Sequence, residues 1–128
     1  MIEVATQREE QEIARREALY REGRPRVDVA GRTVVLVDDG LATGATMLAA
    51  ARGIRAHSPA RVVIGVPLAS VEACEDFRGQ VDEVVCGTTP QPFGAVGIWY
   101  QDFSQVSDDE VREFLERAAH HYAVAFEV

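Results

Sequence analysis

The sequence predicts an α/β protein built on a mainly parallel sheet, and three observations carry that reading. Val34-Val35-Leu36-Val37 is a short apolar run that ends in an acidic pair and a loop of small residues. Val62 to Pro67 is a second, continuous apolar run, as expected for a strand covered on both faces. Across residues 34–86 the order strand, helix, strand, helix, strand repeats, the pattern of parallel βαβ units with right-handed crossovers.

Each element has a local reason. Ile2 to Glu22 is rich in Glu, Arg, Gln and Ala without Gly or Pro, and reads as helix. Its apolar stripe is thin (Val4, Ile13, Leu19, Tyr20), so it is expected to face solvent or to complete its packing on another chain. Gly23 and Pro25 end it, and Val27 to Gly31 leads into the first strand. A helix from Ala45 to Ala56 places Met47, Ala50, Ala51 and Ile54 on one face, and Ser58-Pro59 closes it. Ser70 is an expected N-cap for a short helix through Phe77, and Val81 to Cys86 reads as the third strand. A long irregular stretch, 87–105, holds Phe93, Trp99, Tyr100 and Phe103. Ser107 with Glu110 makes a capping box for a last helix through His120. The tail Tyr122 to Val128 is left between a strand and a frayed end. The three histidines, His57, His120 and His121, sit at helix ends or in the tail and read as surface or cap residues.

Composition bounds the function. A chain of 128 residues holds one domain at most. The formal charge of −8 argues against a nucleic-acid surface, which selects basic patches. No apolar run resembles a signal peptide or approaches a membrane span, so a cytoplasmic protein without a membrane partner is expected. Cys74 and Cys86 form neither a C-x-x-C pair nor a zinc spacing, and free buried thiols are expected.

The chemistry concentrates in Val34-Val35-Leu36-Val37-Asp38-Asp39-Gly40-Leu41-Ala42-Thr43-Gly44-Ala45-Thr46. A strand of this kind delivers two carboxylates to the edge where parallel sheets take their ligands. Pro67-Leu68 and Cys86-Gly87-Thr88 should share that edge. Ionised Asp38 and Asp39 can accept hydrogen bonds from a sugar's hydroxyls. The loop 42–46 offers backbone N–H groups, two hydroxyls and a helix start, a combination suited to a phosphate. Gly44 lets backbone approach an anion closely. Rival motifs fail on residue type. The chain has no Lys, which removes both a Walker A loop and the Lys that a receiver domain places beside its acidic pair. Gly94 and Gly97 lack the spacing of G-x-G-x-x-G. An ordinary buried strand with a polar end is the bland alternative.

The segment resembles the phosphoribosyl pyrophosphate (PRPP) signature of the type I phosphoribosyltransferases. The run from Pro92 to Asp108 is similar to that of a group of bacterial members of unassigned substrate. The likeness extends from the first helix to about Ala119. It implies a three-layer sandwich of that type, lacking the N-terminal strands, with 1–128 as a single, partial domain. Its parts would be a helix and linker (1–26), a βαβαβ core (27–86), an aromatic loop (87–106) and a C-terminal helix (107–121). It implies a transferase of nucleotide metabolism that moves the 5-phosphoribosyl group of PRPP to a nitrogen nucleophile and releases pyrophosphate. Asp38 and Asp39 would act on the ribose and in catalysis. With them, Gly40, Leu41, Ala42, Thr43, Gly44, Ala45 and Thr46 would hold the ribose and 5′-phosphate. Mg²⁺ would come with PRPP, and a homodimer is expected.

Two departures matter. Nothing here matches the N-terminal loop with which the family holds pyrophosphate, which leaves a non-catalytic PRPP- or nucleotide-binding module, or an inactive fragment, as the alternative. The 6-oxopurine enzymes carry an Asp at the position of Ala42, so the resemblance implies another acceptor. Trp99 and Tyr100 are the candidates for contact with an acceptor base, because rings stack on flat heterocycles.

Overall fold

A computed structural model describes the backbone of residues 2–125. Its elements in order are α1 (Ile2–Arg21), β1 (Thr33–Val37), α2 (Ala45–Arg55), β2 (Arg61–Leu68), α3 (Val71–Phe77), β3 (Glu83–Thr88), a 3₁₀ turn (Val96–Trp99) and α4 (Asp108–Ala125). They fall into two compact units, one of residues 27–103 and one of residues 1–26 with 104–128.

The 27–103 unit is the α/β unit that the sequence predicts. Its sheet has the order β1-β2-β3, and both pairs are parallel. Val62, Ile64, Val66 and Leu68 of β2 are buried, and the first three cluster with Met47 and Ala51 of α2 and Ala73, Cys74 and Phe77 of α3. Both helices therefore cover one face. Two crossovers of the same hand, each moving one strand along in the same direction, leave no other arrangement.

The opposite face is treated unevenly, which corrects the expectation that Val62 to Pro67 is covered on both sides. Val63 and Gly65 are half-buried and Pro67 is exposed. On the flanking strands Val35, Val37 and Val85 are 57%, 74% and 51% exposed. Continuous apolar sequence reports what a strand tolerates on two faces, and helices of this unit cover only one.

Other differences are local. On α2 the inward set is Met47, Ala51, Ile54 and Leu48, while Ala50 is exposed. The third strand starts at Glu83, not at Val81. Val81 is a buried core residue whose N–H bonds the Phe77 carbonyl, so it closes the turn after α3. Asp82 then ties that turn to β2. Its carboxylate accepts the Val62 N–H at 2.7 Å and the Arg55 guanidinium at 2.9 Å. Those bonds, the Val62 N–H foremost, hold the Asp82 carboxyl below its ordinary value.

In the other unit α1 and α4 pair through polar contacts, and from the thin α1 stripe Tyr20 takes part in them through its hydroxyl. Asp108 accepts Tyr20 Oη at 2.7 Å and Arg15 at 3.0 Å, and Arg112 pairs with Glu22. The charge run of α1 is bonded to itself as well: Glu12 meets Arg15 and Arg16, which pull its pKa down to about 2. Ile13 remains 65% exposed, and the Val4 side chain lies outside the described residues. The capping box forms as expected, with Ser107 Oγ accepting the Glu110 N–H at 3.2 Å and Glu110 accepting the Ser107 N–H at 2.8 Å. The helix it opens continues past His120 to Ala125, since neither Gly nor Pro stops it. Phe126 to Val128 lie outside the described residues, and with them the rest of the tail expectation.

Candidate functional site

β1 ends at Val37, and the next two residues place the acidic pair at the carboxyl edge of the sheet. Both aspartates are exposed. The Asp39 N–H donates to Asp38 Oδ1 at 2.9 Å, which turns the first carboxylate back over the second residue. The Asp39 carboxyl is raised above its ordinary 3.8. Partial burial is the main cause, followed by the charge of Asp38 and a side-chain hydrogen bond with it. N–H groups of Gly40 and of Asp39 itself pull the other way. A carboxylate whose charge is disfavoured in this way, as that of Asp39 is, stands to gain from a hydroxyl donor or a positive charge.

The following residues are stitched into the sheet. Leu41 is buried and forms a parallel bridge with Ala69. Its N–H donates to the Leu68 carbonyl at 3.0 Å, and its carbonyl accepts the Ser70 N–H at 2.9 Å. One step further out, the Ser70 hydroxyl donates to the Ala42 carbonyl at 2.9 Å and accepts the Ala73 N–H at 3.1 Å. Ser70 is thus both the N-cap of α3 and a tie to the loop. Its neighbour Ala69 bonds the Thr88 carbonyl, so the ends of all three strands meet here as expected.

Ala42 and Thr43 are exposed, and the chain then turns into α2 through Gly44. Gly44 has φ 76°, a left-handed conformation that disfavours a side chain. A Cβ there would also lie 2.5 Å from Cε2 of Phe77. The glycine is therefore required by the ring beneath it as well as by the turn. The N-cap residue Gly44 offers α2 no side-chain cap, Thr43 Oγ1 accepts the Ala45 N–H only at 3.5 Å, and no acidic residue occupies the first turn. An eleven-residue helix with such an N-terminus presents N–H groups and positive potential beside the exposed Thr43, Ala45 and Thr46.

The aromatic stretch folds onto the same edge. The Tyr100 hydroxyl donates to the Asp39 main-chain oxygen at 2.5 Å. A Cβ on Gly40 would meet both γ-carbons of Val96 at 2.9 Å, so Val96 sits directly on that residue. The Tyr100 and Phe103 rings are 5.3 Å apart. The Trp99 indole N–H donates to the Phe93 carbonyl at 2.7 Å, and its ring is 46% exposed.

Every residue from Asp38 to Thr46 named from sequence thus lies at one edge, with Tyr100 bonded to it and Trp99 in the adjoining 3₁₀ turn. Sequence reasoning missed the second bond of Ser70, the Phe77 ring under Gly44 and the Val96 contact. Only Ser70 carried a signal, its helix-capping position. His57, His120 and His121 are exposed and stand apart from these contacts. Among the described residues no group of three or more His, Cys, Asp or Glu side chains could hold a metal ion. No helix there is long and apolar enough to cross a membrane. Cys74 and Cys86 are free thiols, the first buried and the second half-buried.

Fold and site together define the class, an α/β protein whose candidate site lies at the carboxyl edge of parallel strands, where such sheets take their ligands. The chain belongs to the phosphoribosyl transferase domain family, whose model matches residues 3–94. It is 48% identical over 114 residues to a putative phosphoribosyl transferase of Mycobacterium tuberculosis, a match covering 89% of this chain and 26% of the relative. A ribose-phosphate pyrophosphokinase of Marinomonas sp. is 42% identical over 65 residues, covering 48% of this chain and 21% of that protein. The crystal structure of TT1426 from Thermus thermophilus superposes with a TM-score of 0.73 at 48% identity, covering 78% of this chain and 48% of that one. The chain thus spans about a quarter of the mycobacterial relative and about half of the solved structure.

Proposed function

We propose that the chain binds PRPP at the Asp38–Thr46 edge and transfers its 5-phosphoribosyl group to a nitrogen nucleophile, releasing pyrophosphate. The observation that carries this reading is the junction of β1 and α2. Two exposed carboxylates and a helix N-terminus whose N-cap is a glycine lie within nine residues, locked to the sheet through Leu41 and Ser70. In this reading Asp38 and Asp39 accept the ribose hydroxyls, and N–H groups of the loop and of the first turn of α2 bind the 5′-phosphate. As the bond from C1′ to pyrophosphate breaks and the nitrogen attacks, positive charge develops on the ribose. The same carboxylates stabilise that charge.

Two carboxylates without a further ligand cluster fit Mg²⁺ that arrives on the substrate, because this ion is commonly held by one or two carboxylates plus phosphate oxygens. Bound there, it would offset the charge of the leaving pyrophosphate. Trp99 and Tyr100 remain the acceptor-side residues, with the half-exposed Trp99 ring as the stacking surface. A second copy of the chain is the proposed partner.

A module that binds PRPP without turnover is the competing reading. Calorimetry with PRPP and Mg²⁺, alongside a pyrophosphate-release assay across candidate bases, separates the two. Binding with release that is lost in a folded Asp38→Asn, Asp39→Asn variant is the expected result. Binding without release favours the module. No binding to the wild type, or unchanged release by the double variant, would sink the proposal.

A further inference from the structure

Two successive carbonyls of the β1–α2 loop are held by one residue. Ser70 donates its N–H to the Leu41 carbonyl at 2.9 Å and its hydroxyl to the Ala42 carbonyl at 2.9 Å. Ser70 is buried, whereas Ala42 and Thr43 are exposed. The Ala42 oxygen is therefore drawn inward, toward the start of α3.

A trans peptide is planar, and its C=O and N–H point in opposite directions. With the Ala42 oxygen turned in to Ser70, the N–H on Thr43 faces the other way. Turned over, the same peptide would present an oxygen in place of that N–H. An anion gains from the first arrangement and is repelled by the second. The turn that follows is fixed from the other end of α3, where the Phe77 ring lies under Gly44 at φ 76°. Between the anchored Leu41 and Gly44, the Ser70 hydroxyl sets the 42–43 peptide.

We infer that Ser70 is a positioning residue for the anion: by holding the Ala42 carbonyl inward, it keeps the Thr43 N–H turned toward a phosphate. The inference rests on the reading that this loop binds the 5′-phosphate. It gives the cap of α3 a second duty, because the same hydroxyl accepts the Ala73 N–H at 3.1 Å.

The test compares the full chain with Ser70→Ala, Ser70→Gly, Ser70→Thr and Ile64→Val. Alanine and glycine both remove the hydroxyl. Glycine is nearly as good an N-cap as serine, so Ser70→Gly stays folded and decides the matter if Ser70→Ala does not. Threonine keeps the hydroxyl. Ile64 is fully buried in β2, and its variant is a destabilised control that leaves the bonds of Ser70 in place.

Calorimetry measures binding of ribose 5-phosphate. NMR of the ligand-free protein reads the Thr43 HN–Hα coupling, which follows the φ angle that a turn of the 42–43 peptide changes. Affinity should fall by about three- to tenfold in both variants without the hydroxyl, the range of one hydrogen bond, and their Thr43 coupling should change. Ser70→Thr and Ile64→Val should match the wild type in both readouts. Unchanged affinity or unchanged coupling in Ser70→Gly overturns the inference alone, and so does an equal loss of affinity in Ile64→Val. If the wild type itself binds no ribose 5-phosphate, the proposed function falls and the inference with it.

Discussion

The Ser70 hydroxyl stands between two elements, donating to the Ala42 carbonyl in the β1–α2 loop while capping the Ala73 N–H of α3. It is the one buried polar side chain among the described residues, at 8% exposure, and both of its bonds are used. Replacing it with Ala removes a helix cap and strands a loop carbonyl. Ser70→Ala should cost about 1–2 kcal/mol in urea denaturation, near the upper part of the range for a lost N-cap. Ser70→Thr should retain most of that stability.

Gly44 and Phe77 make a coupled pair. Gly44→Ala meets two penalties, a left-handed backbone and a ring 2.5 Å away, and should destabilise the fold by about 2–4 kcal/mol. In a Phe77→Leu background the ring is gone but the backbone strain stays. The alanine should therefore cost less there than in the wild type, and a double-mutant cycle reads the difference. Additive costs would show that the ring does not confine this position.

Asp39 and Asp82 should respond to pH with opposite signs. The Asp39 carboxyl is raised in the fold, mainly by burial, so its contribution is full below the ordinary 3.8 and is lost as pH rises through the raised value. Asp39→Asn should thus be more stable than wild type at neutral pH, with the gap closing in acid. Asp82 is lowered, chiefly by the Val62 N–H, so its contribution is present above 3.8 and lost as pH falls through the lowered value. Asp82→Asn should be less stable at neutral pH, and that gap too should close in acid. Urea midpoints at pH 7 and about pH 3 check both.

The thiols should be inert while the chain is folded. Burial pushes Cys86 up to about 12, with a hydrogen bond from its thiol to Cys74 adding to the shift. A thiol needs its anion to react. Iodoacetamide at pH 8 should leave both cysteines unmodified in native buffer and label both in urea, as read by intact mass. Labelling of the native protein at Cys86 would contradict the shift.

Much of this architecture was legible because its signals are local. The strand before Asp38, the small-residue turn at Gly44 and the Ser107–Glu110 box each lie within a few residues of sequence, and each forms where expected. The start of β3 was misread because Val81 looks the same whether it faces a sheet or plugs a turn beneath α3. The contacts that build the site edge were not legible. Tyr100 reaches Asp39 across 61 residues and Ser70 reaches Ala42 across 28, and no periodicity encodes such meetings. One-sided burial of β2 was hidden for a related reason: Val63 is as apolar as Val62, and only the position of the helices distinguishes them.

Three glycines at the carboxyl edge each face an occupied space: Gly40 against Val96, Gly44 against Phe77, and Gly87 against the Pro67 carbonyl, 2.5 Å from where a Cβ would stand. Their effect is on how the site can be diversified. A saturation library across this edge should return glycine at 40, 44 and 87 whatever ligand is selected for. Exposed positions such as Gln91, Ala95, Ile98 and Gln101 are free to vary. New specificity would be written by the segment that crosses the edge, while the junction of β1 and α2 stays spelled as it is.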